Sequence, residues 1–229
     1  MTDTDGHLAA VHERLRNACR RAGRNPEDVG LIAVSKRQTV AAIRDAYAAG
    51  QRAFGENYLQ EGLDKQQALA ELAISWHFVG PLQSNKTKAA AEHFDWVHTV
   101  DRLKIAQRLA QHRHASATDA PLDCCIQVNL SGETSKSGAT AAELPELAHA
   151  VARLPGLRLR GLMTLPEPAD NEADQRAPFA ELRRLLEELR SEGLALDTLS
   201  MGMSADLEAA ILEGATLVRI GTAVFGPRD

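Results

Sequence analysis

Eight strand-like segments alternate with helix-like segments along this chain, and that alternation constrains the fold more than any other feature. An opening helix comes first, since Leu8, Val11, Leu15 and Ala18 recur at helical spacing. Strand signals follow at VGLIAVSK (29–36), RAFGENY (52–58), SWHFVGPLQ (75–83), WVHTVD (96–101), LDCCIQVNL (122–130), LRLRGLMTL (157–165), DTLSMGMS (197–204) and TLVRIGTAVFG (216–226). The segments between them read as helices; Phe179, Leu182, Leu185 and Leu189 form one such apolar stripe. Alternation of this kind builds a parallel sheet covered by helices. An open doubly wound sheet satisfies the same pattern. The count of eight and the lack of a GxGxxG turn favour a closed α/β fold, the (β/α)8 TIM barrel. No boundary splits the chain, so 1–229 reads as a single domain, with 166–178 as a loop insertion.

Composition removes other classes. Hydrophobic residues are 44% and charged residues 25%, which excludes a disordered or fibrous chain. The net charge is −5, aromatics are only 4%, and no run of Lys or Arg occurs, so no nucleic acid is expected as a partner. Cys19, Cys124 and Cys125 form no CxxC pair, which speaks against a zinc or dithiol site. The charged N-terminus lacks the apolar core of a signal peptide, and no apolar run reaches membrane-spanning length. The expectation is a cytoplasmic protein with no membrane partner.

In a barrel, chemistry collects where strands end. That rule selects Lys36, Asn57, Gln83, Asp101, Asn129, Thr164, Ser204 and the group Arg219, Gly221 and Thr222. Lys36 ends an apolar run. Desolvation there favours the neutral amine, the nucleophile that a Schiff base requires. The position also suits a lysine that snorkels out of the mouth. Gly221 lets backbone N–H groups approach a phosphate, and barrels often bind phosphate after strands seven and eight. Ser204 opens the segment SADLEAAILEG and reads as its N-cap, where an anion can also sit. Arg219 lies among apolar neighbours and requires a partner; an ion pair with a neighbouring strand is the plain expectation. His77 and His98 read as packed core residues with one hydrogen bond each. Met201 and Met203 read as core packing. Lys86, Lys88 and Lys136 read as a solvated face, or as charges that draw an anion to the mouth.

The stretches AVSK (33–36), FGENYLQE (54–61), WHFVGPLQSNK (76–86), VNLSGETSKSG (128–138), GLMTL (161–165) and LSMGMSADLEAAILEGATLVRIGTAVFG (199–226) span nearly the whole chain. Together they resemble the pyridoxal-phosphate homeostasis proteins, relatives of the N-terminal barrel of alanine racemase. The resemblance implies a fold-type III pyridoxal 5′-phosphate (PLP) protein with PLP as cofactor. Lys36 would carry the internal aldimine. Ser204, Gly221 and Thr222 would hold the phosphate, and Arg219 would face the pyridine nitrogen. Asn57 would lie near the ring substituents, Met163 would line the pocket, and Met201 and Gly202 would approach through backbone. One departure is RQTV after Lys36, where the family usually has a proline a few residues on.

The resemblance leaves a carrier and an enzyme to be weighed. A carrier would buffer PLP and pass it to apo PLP-dependent enzymes. An amino-acid racemase is the alternative, and a Schiff-base aldolase is a third class. Two-base racemisation needs a group on each face of the cofactor. In alanine racemase the second is a tyrosine from an added C-terminal domain. Here only Tyr47 and Tyr58 are available, and the sequence runs just three residues past Gly226. The expectation is therefore a non-catalytic carrier, monomeric because the racemase domain's dimer contacts would be missing.

Overall fold

The computed structural model describes residues 4–116, 120–131 and 137–226. The strands are β1 (Gly30–Val34), β2 (Ala53–Glu56), β3 (Ser75–Phe78), β4 (Trp96–Val100), β5 (Leu122–Gln127), β6 (Leu157–Met163), β7 (Thr198–Ser200) and β8 (Leu217–Ile220). All eight pair in sequence order, in parallel, and close on themselves. Closure is made by β1 and β8, in register from Gly30 opposite Leu217 to Ala33 opposite Ile220. That pairing decides for the barrel and against an open sheet. Helices α1 (Thr4–Ala22), α2 (Val40–Ala48), α3 (Leu59–Ala68), α4 (Thr87–His93), α5 (Leu103–His114), α6 (Leu144–Ala152), α7 (Glu172–Ser191), α8 (Leu207–Leu212) and α9 (Thr222–Phe225) follow the chain order.

The main apolar core lies between sheet and helices. Phe54, Phe78, Phe94, Ile43, Leu109 and Phe179 are buried there. Each such side chain contributes about 1.5–3 kcal/mol by leaving water. Leu8, Val11 and Leu15 seat α1 in the same core, as their spacing predicts. Arg14 fixes α1 to α8 by pairing with Glu208 and donating to the Ser204 carbonyl. Arg24 adds bonds to the carbonyls of Ile211 and Ala215. The first helix thus braces the β7–β8 side of the barrel.

Ile32, Val79, Cys125 and Met163 are buried but stand apart from that outer cluster. Ile32 and Val79 meet the space beside Gly55, which identifies this group as the barrel interior. Alternation along each strand sends one set of side chains outward and the other inward.

The strands end earlier than their apolar runs suggest. β1 stops at Val34, β2 at Glu56, β3 at Phe78 and β7 at Ser200. Beyond these points the chain leaves the ladder to form the mouth. The predicted eighth strand also ran to Gly226. Gly221 instead turns with φ −109° and ψ −76°, and Thr222–Phe225 winds into α9. Half of the predicted 166–178 loop is helix as well. Asn171 caps α7 by accepting from Asp174 N at 2.9 Å, and the helix runs on through Pro178. Pro178 sits in an early turn and forgoes one helical bond.

Candidate functional site

The β1–α2 connection begins with a turn over Ser35–Gln38, closed by Gln38 N donating to Ser35 O at 2.9 Å. Lys36 and Arg37 are its central residues. Lys36 is half-buried, two residues beyond the end of β1. Gly221 packs directly against this strand end: a Cβ on it would lie 3.2 Å from Val34 O. Residues after β8 and the lysine after β1 therefore share one corner of the mouth.

Gly221 is the N-cap of α9, and Thr222 and Ala223 form its first turn. Amides in a first helical turn have no acceptor within the helix, so they face outward as anion donors. Ser204, half-buried, approaches from the β7 side. It is not the N-cap that its position in the sequence implies. The cap position of α8 is Asp206, whose carboxylate accepts from Met203 N at 2.5 Å. A carboxylate two residues on takes the local amide, so the Ser204 side chain is not committed to capping. Burial pushes the Asp206 carboxyl up, and Arg219 nearby opposes that.

Arg219 rises from β8 into the barrel interior and is 4% exposed. No ion pair holds it among the described residues. Its guanidinium donates to Ser200 Oγ at 2.7 Å and to Thr164 O at 2.9 Å. Both partners are neutral, and burial pulls its pKa down to about 10. The cation survives at neutral pH because a guanidinium starts so far above it.

The two interior histidines each use both ring nitrogens, not one. Ser200 Oγ lies 2.8 Å from His98 Nδ1, His98 Nε2 lies 2.9 Å from His77 Nδ1, and His77 Nε2 lies 3.1 Å from Ser75 Oγ. Arg219, Ser200, His98, His77 and Ser75 form one hydrogen-bonded file through the barrel. Burial depresses both histidines, His77 to about 3, so both rings are neutral. The sequence reading gave Ser200 no role. The signal for it was the inward phase of β7, set by alternation against Leu199.

Met163 is fully buried and belongs to the interior group, beneath the mouth. Met201 belongs to the outer core, and its amide is spent on Leu217 O at 3.0 Å. Only its carbonyl is left to approach a ligand. Asn57 lies one residue beyond β2, two strands from β8, and its Oδ1 is buried without a partner among the described residues. It lines a cavity of about 570 Å³ with Val79, Thr99, Gln127 and Asn129. Of the strand-end residues named from the sequence, Asn57 and Asn129 border that space, while Lys36, Ser204, Gly221 and Thr222 follow β1, β7 and β8 at the same mouth. Lys136 lies outside the described residues.

The two tyrosines lie at opposite ends of the barrel. Tyr47 is on α2, with the Arg52 guanidinium 3.9 Å above its ring. Arg52 precedes β2, so this pair is at the far end of the barrel. Tyr58 is at the mouth but 49% exposed. Among the described residues no His, Cys, Asp and Glu cluster suits a metal, and no helix is long and apolar enough to cross a membrane.

A family model described as alanine racemase, N-terminal domain, matches residues 6–229. The pyridoxal phosphate homeostasis protein of Pseudomonas aeruginosa is 62% identical over 223 residues, covering 97% of this chain and 95% of that protein. Its namesake in Escherichia coli K12 is 51% identical over 232 residues, covering 100% and 98%. PipY of Synechococcus elongatus, solved with PLP bound, is 40% identical with a TM-score of 0.85, covering 98% of this chain and 100% of that one. Alanine racemase of Corynebacterium glutamicum shares the fold at a TM-score of 0.71 and 21% identity, and this chain spans 62% of it. With a sequence match running from end to end on a closed barrel of the same architecture, the chain belongs to the family of pyridoxal phosphate homeostasis proteins.

Proposed function

We propose that this protein binds pyridoxal 5′-phosphate at the β7–β8–β1 corner of the barrel mouth and buffers its supply. The observation that carries the reading is the convergence there of an amine, a set of anion donors and a buried arginine. The residues fit the group. A Cβ on Gly221 would press on Val34 O at 3.2 Å, so glycine lets the β8–α9 turn sit close against the end of β1. Ser204 and the Thr222 amide would hold that phosphate, and Arg219 would meet the ring nitrogen. Asn57, with its unpartnered Oδ1, would take a ring substituent. Bound there, the cofactor supplies an electrophilic aldehyde, which a primary amine can hold reversibly. Lys36 is the amine at that corner.

Arg219 keeps its proton at neutral pH and offers only donors. It would therefore hold the ring nitrogen as an acceptor, a weak arrangement for carbanion chemistry. Racemisation also needs a base on the far face. Tyr58 is exposed, and its ring lies against the Arg37 guanidinium, 5.9 Å from the centroid. These points favour a carrier over the racemase alternative. We take the carrier to act as a cytoplasmic monomer that passes the cofactor to apo PLP-dependent enzymes.

The test incubates the loaded protein with a panel of amino acids in D₂O and follows α-proton exchange. No exchange, with transfer to an apo-enzyme faster than simple release, supports the carrier. Stereospecific exchange that disappears in Lys36→Ala overturns it.

A further inference from the structure

The motif FGENYLQE contributes more than Asn57. Glu56, at the end of β2, is fully buried, and its side chain packs beside Gly62 of α3, outside the barrel. Lys65, also on α3 and 5% exposed, sits between two carboxylates. Its Nζ reaches Glu56 Oε1 at 2.7 Å, Glu61 Oε1 at 2.7 Å and Ser35 O at 2.6 Å. Ser35 Oγ donates to the same Glu56 oxygen at 2.6 Å. Glu61 Oε1 accepts from Arg37 N.

Every one of these bonds that leaves the triad ends on Ser35 or Arg37, the two residues flanking Lys36. The turn they hold is not a relaxed one. Arg37 has φ +61°, the only positive value at a non-glycine among the described residues. The third position of a turn with positive φ normally takes glycine or asparagine. Arginine there is strained, and such strain persists only where the surroundings over-determine it. The triad supplies that constraint from the helix side of the turn.

Building on the reading that Lys36 carries the cofactor, we infer that Glu56, Lys65 and Glu61 form a clamp that positions Lys36. The clamp fixes the Ser35 carbonyl and hydroxyl on one side and the Arg37 amide on the other. The direction of the lysine between them is thereby set before any ligand arrives. Glu61 is the member best suited to a test, since it is partly exposed and meets both Arg37 N and Lys65 Nζ.

The experiment compares wild type, Glu61→Ala, Arg37→Gly and the double variant. Three readouts are taken: PLP affinity by absorption titration, the rate of Lys36 acylation in the cofactor-free protein by mass spectrometry, and thermal unfolding. Glu61→Ala is expected to weaken PLP binding about tenfold and change Lys36 acylation relative to exposed Lys88. Adding Arg37→Gly is expected to restore most of the affinity, because glycine adopts positive φ without strain. A merely structural loss would not be rescued in that way. Wild-type affinity and acylation in Glu61→Ala, or no rescue by Arg37→Gly, overturns the clamp. Should Glu61→Ala fail to fold, Arg37→Gly alone decides: unchanged affinity with unchanged Lys36 acylation supports a turn already held by the triad, and a large loss overturns it. Borohydride reduction and peptide mapping of the loaded wild type separates the two levels. Cofactor mass elsewhere than Lys36 defeats the underlying reading; mass on Lys36 with an indifferent Glu61→Ala defeats only the clamp.

Discussion

His77 Nδ1 and His98 Nε2 lie 2.9 Å apart inside the barrel, so one ring must donate to the other. A guanidinium only donates, so Ser200 Oγ accepts from Arg219. Where the Ser200 hydroxyl passes its own proton to His98 Nδ1, His98 carries its hydrogen on Nε2 and donates to His77 Nδ1, and His77 in turn donates from Nε2 to Ser75 Oγ. The file links a fixed cation to both rings across four strands.

This arrangement predicts acid sensitivity. An unfolded histidine takes up a proton near pH 6.5, whereas His77 in the fold does so only at about 3, and His98 is depressed too. Between those limits the unfolded chain binds more protons, so acid favours unfolding. The stabilising contribution is complete above pH 6.5 and is lost as pH falls toward 3. Urea unfolding at pH 7, 6, 5 and 4 should show a falling midpoint. The variant His77→Gln should flatten that slope; an unchanged slope would mean that carboxylates elsewhere account for it.

Ser200→Ala removes one hydroxyl but leaves two buried groups short of a partner, an Arg219 N–H and His98 Nδ1. The cost is about 2–6 kcal/mol, taking roughly 1–3 for each stranded group. For a chain of this size that lowers Tm by roughly 4–24 °C. Calorimetry of the cofactor-free protein checks it. A loss below about 1 kcal/mol would show that the file is dispensable for stability.

Much of this was legible in the residues before any coordinates. Eight buried runs gave the barrel because parallel strands covered on both sides are apolar along their length. Lys36, Asn57, Ser204, Arg219 and Thr222 were singled out as candidates because polar residues closing such runs stand out. What was not legible depended on partners far apart in the chain. The Ser200 hydroxyl looks like any strand serine until β4 and β8 bring His98 and Arg219 to it. Lys65 reads as a surface residue of an amphipathic helix until Glu56 and the Ser35 carbonyl surround it. Helix α9 was hidden because VRIGTAVFG is mostly apolar and reads on as strand, and the backbone at Gly221 is what breaks it.

Two glycines should separate steric need from conformational need. A Cβ on Gly80 would fall 2.1 Å from Asn57 O, an overlap that only backbone movement relieves. Gly50 has open space around it but φ +101°. Gly50→Ala should cost about 1–2 kcal/mol through its backbone alone and leave PLP affinity unchanged. Gly80→Ala should cost about 3 kcal/mol or more, as severe overpacking does, and weaken PLP binding because Asn57 must move. Equal effects on binding from both would break the link between Gly80 and Asn57.

The phosphate corner allows a sharper separation, because pyridoxal offers the same ring and aldehyde without the phosphate. Gly221 sits 3.2 Å, at its missing Cβ, from Val34 O, so alanine there fits only if the β8–α9 turn shifts by a few tenths of an ångström. Such a shift moves the first-turn amides of α9, whose hydrogen bonds to an anion depend on direction. It leaves the Lys36 turn to the Glu56–Lys65–Glu61 network. Gly221→Ala should therefore weaken pyridoxal phosphate about tenfold, while pyridoxal binds as it does to wild type. Titrating both ligands by absorbance against both proteins gives the four affinities required. If pyridoxal weakens by the same factor, the alanine has disturbed the lysine corner as a whole, and the phosphate belongs to donors other than this turn.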